Sequence, residues 1–241
     1  GDLSSVPVFN DLTISTLTPL AFSKYELGSS RSEKLKKYPL FKLEKSHVDW
    51  VKDFTLDLIE RSRLSCENDD GKKVNEIKFY SIYSTVIKNQ DLSISLIILP
   101  YVVLNMIVKD YKDAREIILN EFLMIVNTDC DVDTYSLEVS KNIRLLYQTV
   151  FRIVDYLNEW LFDRRQRQLG SRKSKRTIIF GCTNEEGIRI VELFLTQIPD
   201  MLVAKRSSQC ASYERAILYL EKSYRHIKSD PQNKNKNNEK D

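Results

Sequence analysis

The run "ISLIILPYVVLNMIV", residues 94 to 108, is the most apolar stretch of the chain and leaves it two destinations, a membrane or a deep interior. A spanning helix needs about 20 mostly apolar residues. From Leu92 to Val108 the run supplies a helix only about 25 Å long. Ser93, Ser95 and Asn105 interrupt it, and Asp91 and Lys109 close it tightly. Pro100 lacks an N–H and crowds the carbonyl of Leu96, so a kink or restart is expected there. Length and interruptions together argue for burial on nearly all sides, between neighbouring helices.

A chain of 241 residues has room for one large domain or two small ones. With 42% hydrophobic and 29% charged residues it reads as a soluble globular protein. Six glycines and six prolines imply few turns and long helices. A net charge of +3 is too small to argue for nucleic acid by itself. Cys66, Cys130, Cys182 and Cys210 lie far apart without zinc-like spacing, and read as reduced thiols. No secretory leader pattern is present, and the start at Gly1 and the end in "DPQNKNKNNEKD" suggest a piece of a longer protein.

Residues 1–45 show no sustained period and read as an irregular segment, laid on a neighbouring surface through Tyr38, Leu40 and Phe41. At residue 46 the pattern turns helical. Ser46 is placed to cap, and Val48, Trp50, Val51, Phe54 and Leu58 recur at three- and four-residue steps. "CENDDGKK" reads as a polar loop. A second helix over 74–89 would carry Ile77, Tyr80, Tyr83 and Ile87 on one face. The opening run is the third and "DAREIILNEFLMIVN" the fourth.

The longest element spans about 136–169, where Val139, Ile143, Leu146, Val150, Ile153, Leu157 and Trp160 alternate steps of four and three. Its flanking charges do not alternate as in a dimer zipper, so lengthwise packing in a bundle or solenoid is expected. Residues 170–184 form a polar, basic loop with no strand expected. Helix resumes with Ile188, Val191, Phe194, Leu195 and Ile198 on its inner side. Pro199 stops it, Asp200 is placed to cap the next, and "SYERAILYLEKSYRHIK" makes the last. The fold class is therefore all-α, a helical solenoid.

"SYERAILYLEKSYRHIKSDPQN" resembles the second half of a tetratricopeptide repeat, with Tyr213, Ala216 and Pro231 at the pattern positions. A small residue at Ala216 permits close helix approach. The wider stretch "FLTQIPDMLVAKRSSQCASYERAILYLE" is similar to the opening of the FAT region of the ATR family of checkpoint kinases, which belong to the PI3K-related protein kinases. The residues that carry this are Ile198, Pro199, Leu202, Ala204, Ser207, Cys210, Tyr213, Arg215, Ala216 and Glu221. Upstream, "SHVDWVKDFTLDLI", "LPYVVLNMIV" and "LYQTVFRIVDYLNEW" resemble that family's helices in the same order, so the likeness covers roughly residues 38–228. It implies HEAT-like repeats over 46–169 and a first TPR-like FAT repeat over 185–228; the basic loop over 170–184 and the Asn/Lys-rich tail over 229–241, which reads as disordered, match no part of that family. It further implies a nuclear serine/threonine kinase of the DNA damage and replication checkpoint. That parent would use ATP and magnesium and work with an ATR-interacting partner subunit. The rival reading is a free-standing TPR-like adaptor that binds a partner peptide. Against it, the chain shows a single such repeat at its end.

Within the segment itself no catalytic, cofactor-binding or metal-binding residue is expected. "YRHIKS" echoes a kinase catalytic loop only superficially, because Tyr224 stands where Asp is needed and Ser229 where Asn is. The densest charge is Arg164, Arg165, Arg167, Arg172, Lys173, Lys175 and Arg176. It reads either as an import signal or anionic contact, or as a solvated helix end whose cations suit the macrodipole. Ser171 and Ser174 lie among these cations as candidate phosphorylation positions. Ser208-Gln209 is the dipeptide such kinases favour, but it falls inside an expected packed helix. His47 and His226 read as surface or cap-side residues, and Trp50 and Trp160 as core.

Overall fold

The computed structural model describes residues 35–67, 84, 86–88, 92–109, 112–131, 135–170, 178–179 and 182–229. Among the described residues seven helices with stated bounds follow one another: α1 (His47–Glu67), α2 (Leu92–Val108), α3 (Lys112–Asn127), α4 (Leu137–Gly170), α5 (Asn184–Thr196), α6 (Asp200–Gln209) and α7 (Tyr213–Ser229). Between α4 and α5 lies a small antiparallel ladder of β1 (Ile178–Ile179) and β2 (Cys182–Thr183). Ile178 faces Thr183 and Ile179 faces Cys182 across it. The ladder falls in the segment expected to be all loop. Its β-branched isoleucines are the local reason for extended backbone.

Ser46 starts α1 as expected: the Asp49 N–H donates to Ser46 Oγ at 3.1 Å, and the Trp50 N–H to Ser46 O at 3.0 Å. The helix then runs five residues past the expected end at Ser62, to Glu67. Trp50, Val51, Phe54 and Leu58 are fully buried, while Val48, grouped with them by spacing, is exposed. The Trp50 and Phe54 rings stack at 5.0 Å, and Phe54 meets Phe122 of α3 at 6.2 Å.

The apolar run is one unbroken helix with Pro100 inside it, so the expected restart does not occur. The hydrogen bond that Pro100 cannot donate is outweighed by the burial that continuation of the helix allows. From Ile98 to Val108 every residue except Tyr101 is buried. No described helix is long and apolar enough to cross a membrane.

At 34 residues α4 is the spine, about 51 Å long. It packs against α1, α2, α3, α5 and α6. Ile143, Leu146, Val150, Ile153, Leu157 and Trp160 of the expected seam are all buried, and Val139 is partly so. The expected inner face of α5, from Ile188 to Ile198, is buried throughout. Of the helix expected over 74–89, residues 84 and 86–88 are helical and Ile87 is fully buried. Ile77, Tyr80 and Tyr83 lie outside the described residues, as do residues 1–34 and 230–241.

The tightest pairing joins α6 to α7. Asp200 does not cap α6 with its side chain. Pro199 occupies the cap position, and its carbonyl accepts from the N–H groups of Leu202 and Val203. Asp200 instead pairs with Lys222 of α7 at 3.1 Å. The turn between the two helices is a Schellman motif: Ser212 N donates to Ser207 O at 2.9 Å and Ala211 N to Ser208 O at 3.0 Å. Ala211 sits there at φ 58°, a left-handed position that glycine would occupy without steric cost.

Candidate functional site

Residues 35–46 form a strap without regular structure, and the side chains that hold it are carboxylates on different helices. Glu121 of α3 is almost completely buried, yet it accepts three hydrogen bonds. Leu40 N donates at 3.1 Å, Phe41 N at 2.6 Å and Trp50 Nε1 at 2.7 Å. Asp57 of α1 does the same a turn further along the strap. It accepts from Lys36 N at 2.8 Å, the Tyr38 hydroxyl at 2.7 Å and Arg61 Nε at 2.7 Å. Burial, with the Asp57 carboxylate beside it, holds the Tyr38 phenol well above its ordinary value. The expectation that Tyr38, Leu40 and Phe41 lie on a neighbouring surface is met, since Leu40 and Phe41 are buried and Tyr38 packs against the core.

A second buried charge joins α3 to α6. Arg206 donates to Val126 O at 2.8 Å and to Asn127 O at 3.2 Å, so it closes the carbonyl end of α3. It also pairs with Asp129 at 2.9 Å, bonds Gln209 Oε1 at 2.9 Å and lies over the Tyr147 ring at 5.7 Å. Gln209 Nε2 completes the set by donating to Asp129 Oδ1 at 2.9 Å. The hydrogen bonds from Arg206 and then Gln209 hold the Asp129 carboxyl below the usual carboxylate range.

The sequence-derived candidates distribute as follows. His47 is at the start of α1 but not on the surface. It is buried, its ring nitrogen lies 2.8 Å from Thr149 Oγ1, and burial lowers its pKa from the ordinary value. The His226 side chain is outside the described residues. Trp50 and Trp160 are core residues. Of the basic cluster, Arg164 is buried with its guanidinium over the Trp160 ring at 5.5 Å. Arg165 pairs with Glu192 of α5, and Arg167 with Asp163 at 2.9 Å. Arg172, Lys173, Lys175, Arg176, Ser171 and Ser174 lie outside the described residues. Ser208 is exposed on α6 and Gln209 half-buried in the Arg206 joint. Cys130 is buried, and burial, then the neighbouring Cys130, push the half-buried Cys210 thiol up to about 11. Cys182 and Cys66 have side chains outside the described residues.

A cleft of about 280 Å³ between α3 and α5 is lined by apolar Leu119, Ile190, Leu193 and Phe194 and by polar Arg115, Glu116 and Gln197. Arg115 Nε donates to Ile107 O at 2.8 Å and Gln197 Nε2 to Leu193 O at 3.0 Å, so both turn toward backbone. Nothing in that lining converges on a reacting atom. Among the described residues no group of three or more His, Cys, Asp or Glu could hold a metal ion. Glu121 and Arg206 bind groups on other helices, whereas Asp57 binds the strap and Arg61 of its own helix. Sequence reasoning missed Glu121 and Arg206 because neither breaks the local pattern of its helix.

These features define a segment of a helical solenoid, in which buried charge fastens one helix pair to the next. Residues 34–240 match the M-HEAT region of the serine/threonine-protein kinase ATR, and the chain belongs to that family. The matched span includes residues 185–228, where a first TPR-like FAT repeat was expected. The chain is 31% identical over 227 residues, 92% of its length, to the serine/threonine-protein kinase MEC1 of Candida albicans. It is 28% identical over 222 residues to the protein kinase rad3 of Schizosaccharomyces pombe. Against the serine/threonine-protein kinase ATR of Arabidopsis thaliana it is 26% identical over 58% of its length. The chain spans 9% of the length of the two fungal relatives.

Proposed function

We propose that this segment of an ATR-like kinase is a non-catalytic scaffold whose rigidity positions the kinase domain of its parent. The observation that carries the reading is the use of buried charge: Glu121 and Arg206 bind backbone groups of other elements. Such joints fix geometry between helices more than they add stability. The parent protein would be an ATP- and magnesium-dependent serine/threonine kinase of the DNA damage and replication checkpoint, working in the nucleus. Its partners would be the rest of its own chain, FAT repeats and kinase domain included, and an ATR-interacting subunit. The likeness of residues 185–228 to a FAT repeat supports a position close to that junction.

Arg206→Met in the full-length kinase tests this. Removing the guanidinium leaves two carbonyls of α3 without its hydrogen bonds and takes the buried cation from Asp129, which keeps only Gln209, Lys205 and the Cys130 N–H. The expected result is reduced stimulated kinase output with unchanged ATP affinity. Full output together with an unfolding temperature within a degree of wild type would overturn the reading.

A further inference from the structure

Two thiols that the scaffold reading leaves unused meet at the joint between α3 and the α6–α7 hairpin. Cys130 follows α3, and Cys210 closes α6 as its C-cap residue. Both are free cysteines, Cys130 buried and Cys210 half-buried. Three contacts set them side by side. Gln209 Nε2 donates to Asp129 Oδ1 at 2.9 Å, so the residues directly before the two cysteines are hydrogen-bonded to each other. The Cys210 thiol donates to Arg144 O at 3.8 Å, while the Cys130 thiol lies against the Tyr147 hydroxyl. Arg144 and Tyr147 are three residues apart on α4 and therefore neighbours on one face of that helix.

We propose that Cys130 and Cys210 are a peroxide-responsive pair that closes to an intramolecular disulfide and locks the end of α3 to the end of α6. The inference goes beyond the scaffold reading, which needs neither sulfur. Burial, then the nearby Cys130, push the Cys210 thiol up to about 11, so little thiolate is present at neutral pH and the pair stays reduced until peroxide is abundant. The more exposed Cys210 reacts first. Its thiol gives up a proton and its sulfur attacks one peroxide oxygen; the O–O bond breaks, water leaves, and Cys210 becomes a sulfenic acid. Cys130, kept from solvent, loses its proton, attacks that sulfur and expels the second water as the S–S bond forms. Two thiols and one hydrogen peroxide thus become one disulfide and two waters, the sulfurs supplying two electrons. The bond spans the same separation of 80 residues as the Asp129–Gln209 contact and constrains the Arg206 joint covalently.

Peptide mapping of the full-length kinase tests it. The native protein is treated with hydrogen peroxide, remaining thiols are alkylated, and the digest is read by mass spectrometry without reductant. The expected product is a linked Cys130–Cys210 peptide, absent before treatment and lost on adding dithiothreitol, with matching loss of both free thiols. Cys130→Ser should leave Cys210 without a resolving thiol, so that it goes on to sulfinic acid. Cys210→Ser should leave Cys130 unoxidised in its buried place. Treated wild type in which Cys130 is still a free thiol, or Cys210 joined to a different cysteine, would overturn the proposal. So would a Cys130→Ser variant whose Cys210 forms no more sulfinic acid than wild type.

Discussion

The block made by the strap, α1, α2 and α3 and the hairpin made by α6 and α7 use the same material to different degrees of closure. In the block, α2 is apolar around most of its circumference and neighbours cover most of it. Even the backbone N–H groups of the strap reach a buried carboxylate. In the hairpin, α7 has the sharper division between polar and apolar sides, yet half of its apolar arc faces water. Hydrophobic pattern therefore states how much cover a helix needs, and packing decides how much it has.

This difference predicts unequal responses to substitution. Glu121→Ala should be the most damaging single change, costing about 4 kcal/mol in denaturant unfolding, because three buried donors lose their acceptor at once. Glu121→Gln, which keeps an acceptor oxygen, should cost clearly less. Equal losses would mean that the charge, and not the hydrogen bonds, holds the joint.

In the hairpin, Ala216→Leu should overpack the covered side of α7 and cost about 1–3 kcal/mol. A neutral outcome by thermal unfolding would place Ala216 away from the close helix contact. Ala211→Gly should go the other way and stabilise by about 1 kcal/mol, since φ 58° suits glycine. A loss there would show that the methyl group packs usefully in the turn. Smallest of all, Ile217→Ser should change the stability of this chain by less than about 0.5 kcal/mol, because the side chain is largely exposed. A large loss would mean that this face of α7 is already covered.

Much of the fold is legible in the sequence because period encodes burial directly. The seam of α4 from Ile143 to Trp160 and the inner face of α5 are buried as their spacing requires. What escapes is whatever depends on a distant partner. Glu121 lies 71 to 81 residues from the donors it receives, and no local pattern marks it. His47 reads as a surface or cap-side residue, but it is buried and its ring nitrogen meets Thr149, 102 residues on. Val48 shares the spacing of its buried neighbours and still faces outward, because spacing gives an arc and not its edges. At Pro100 a kink or restart was expected, and the restart is overridden by tertiary burial, since the helix continues through it. Of the basic cluster, composition could not foretell that Arg164 folds inward or that Arg165 and Arg167 find carboxylates.

The Glu121 joint has a mechanical consequence. One carboxylate grips the strap at two adjacent backbone positions and α1 at a ring nitrogen, so it works as a peg in three holes. If α3 slid past α1 by a single helical turn, about 5.4 Å, every one of those bonds would break together. A pull applied along α3 is therefore passed to the strap and to α1 through the same carboxylate, so the two are loaded together.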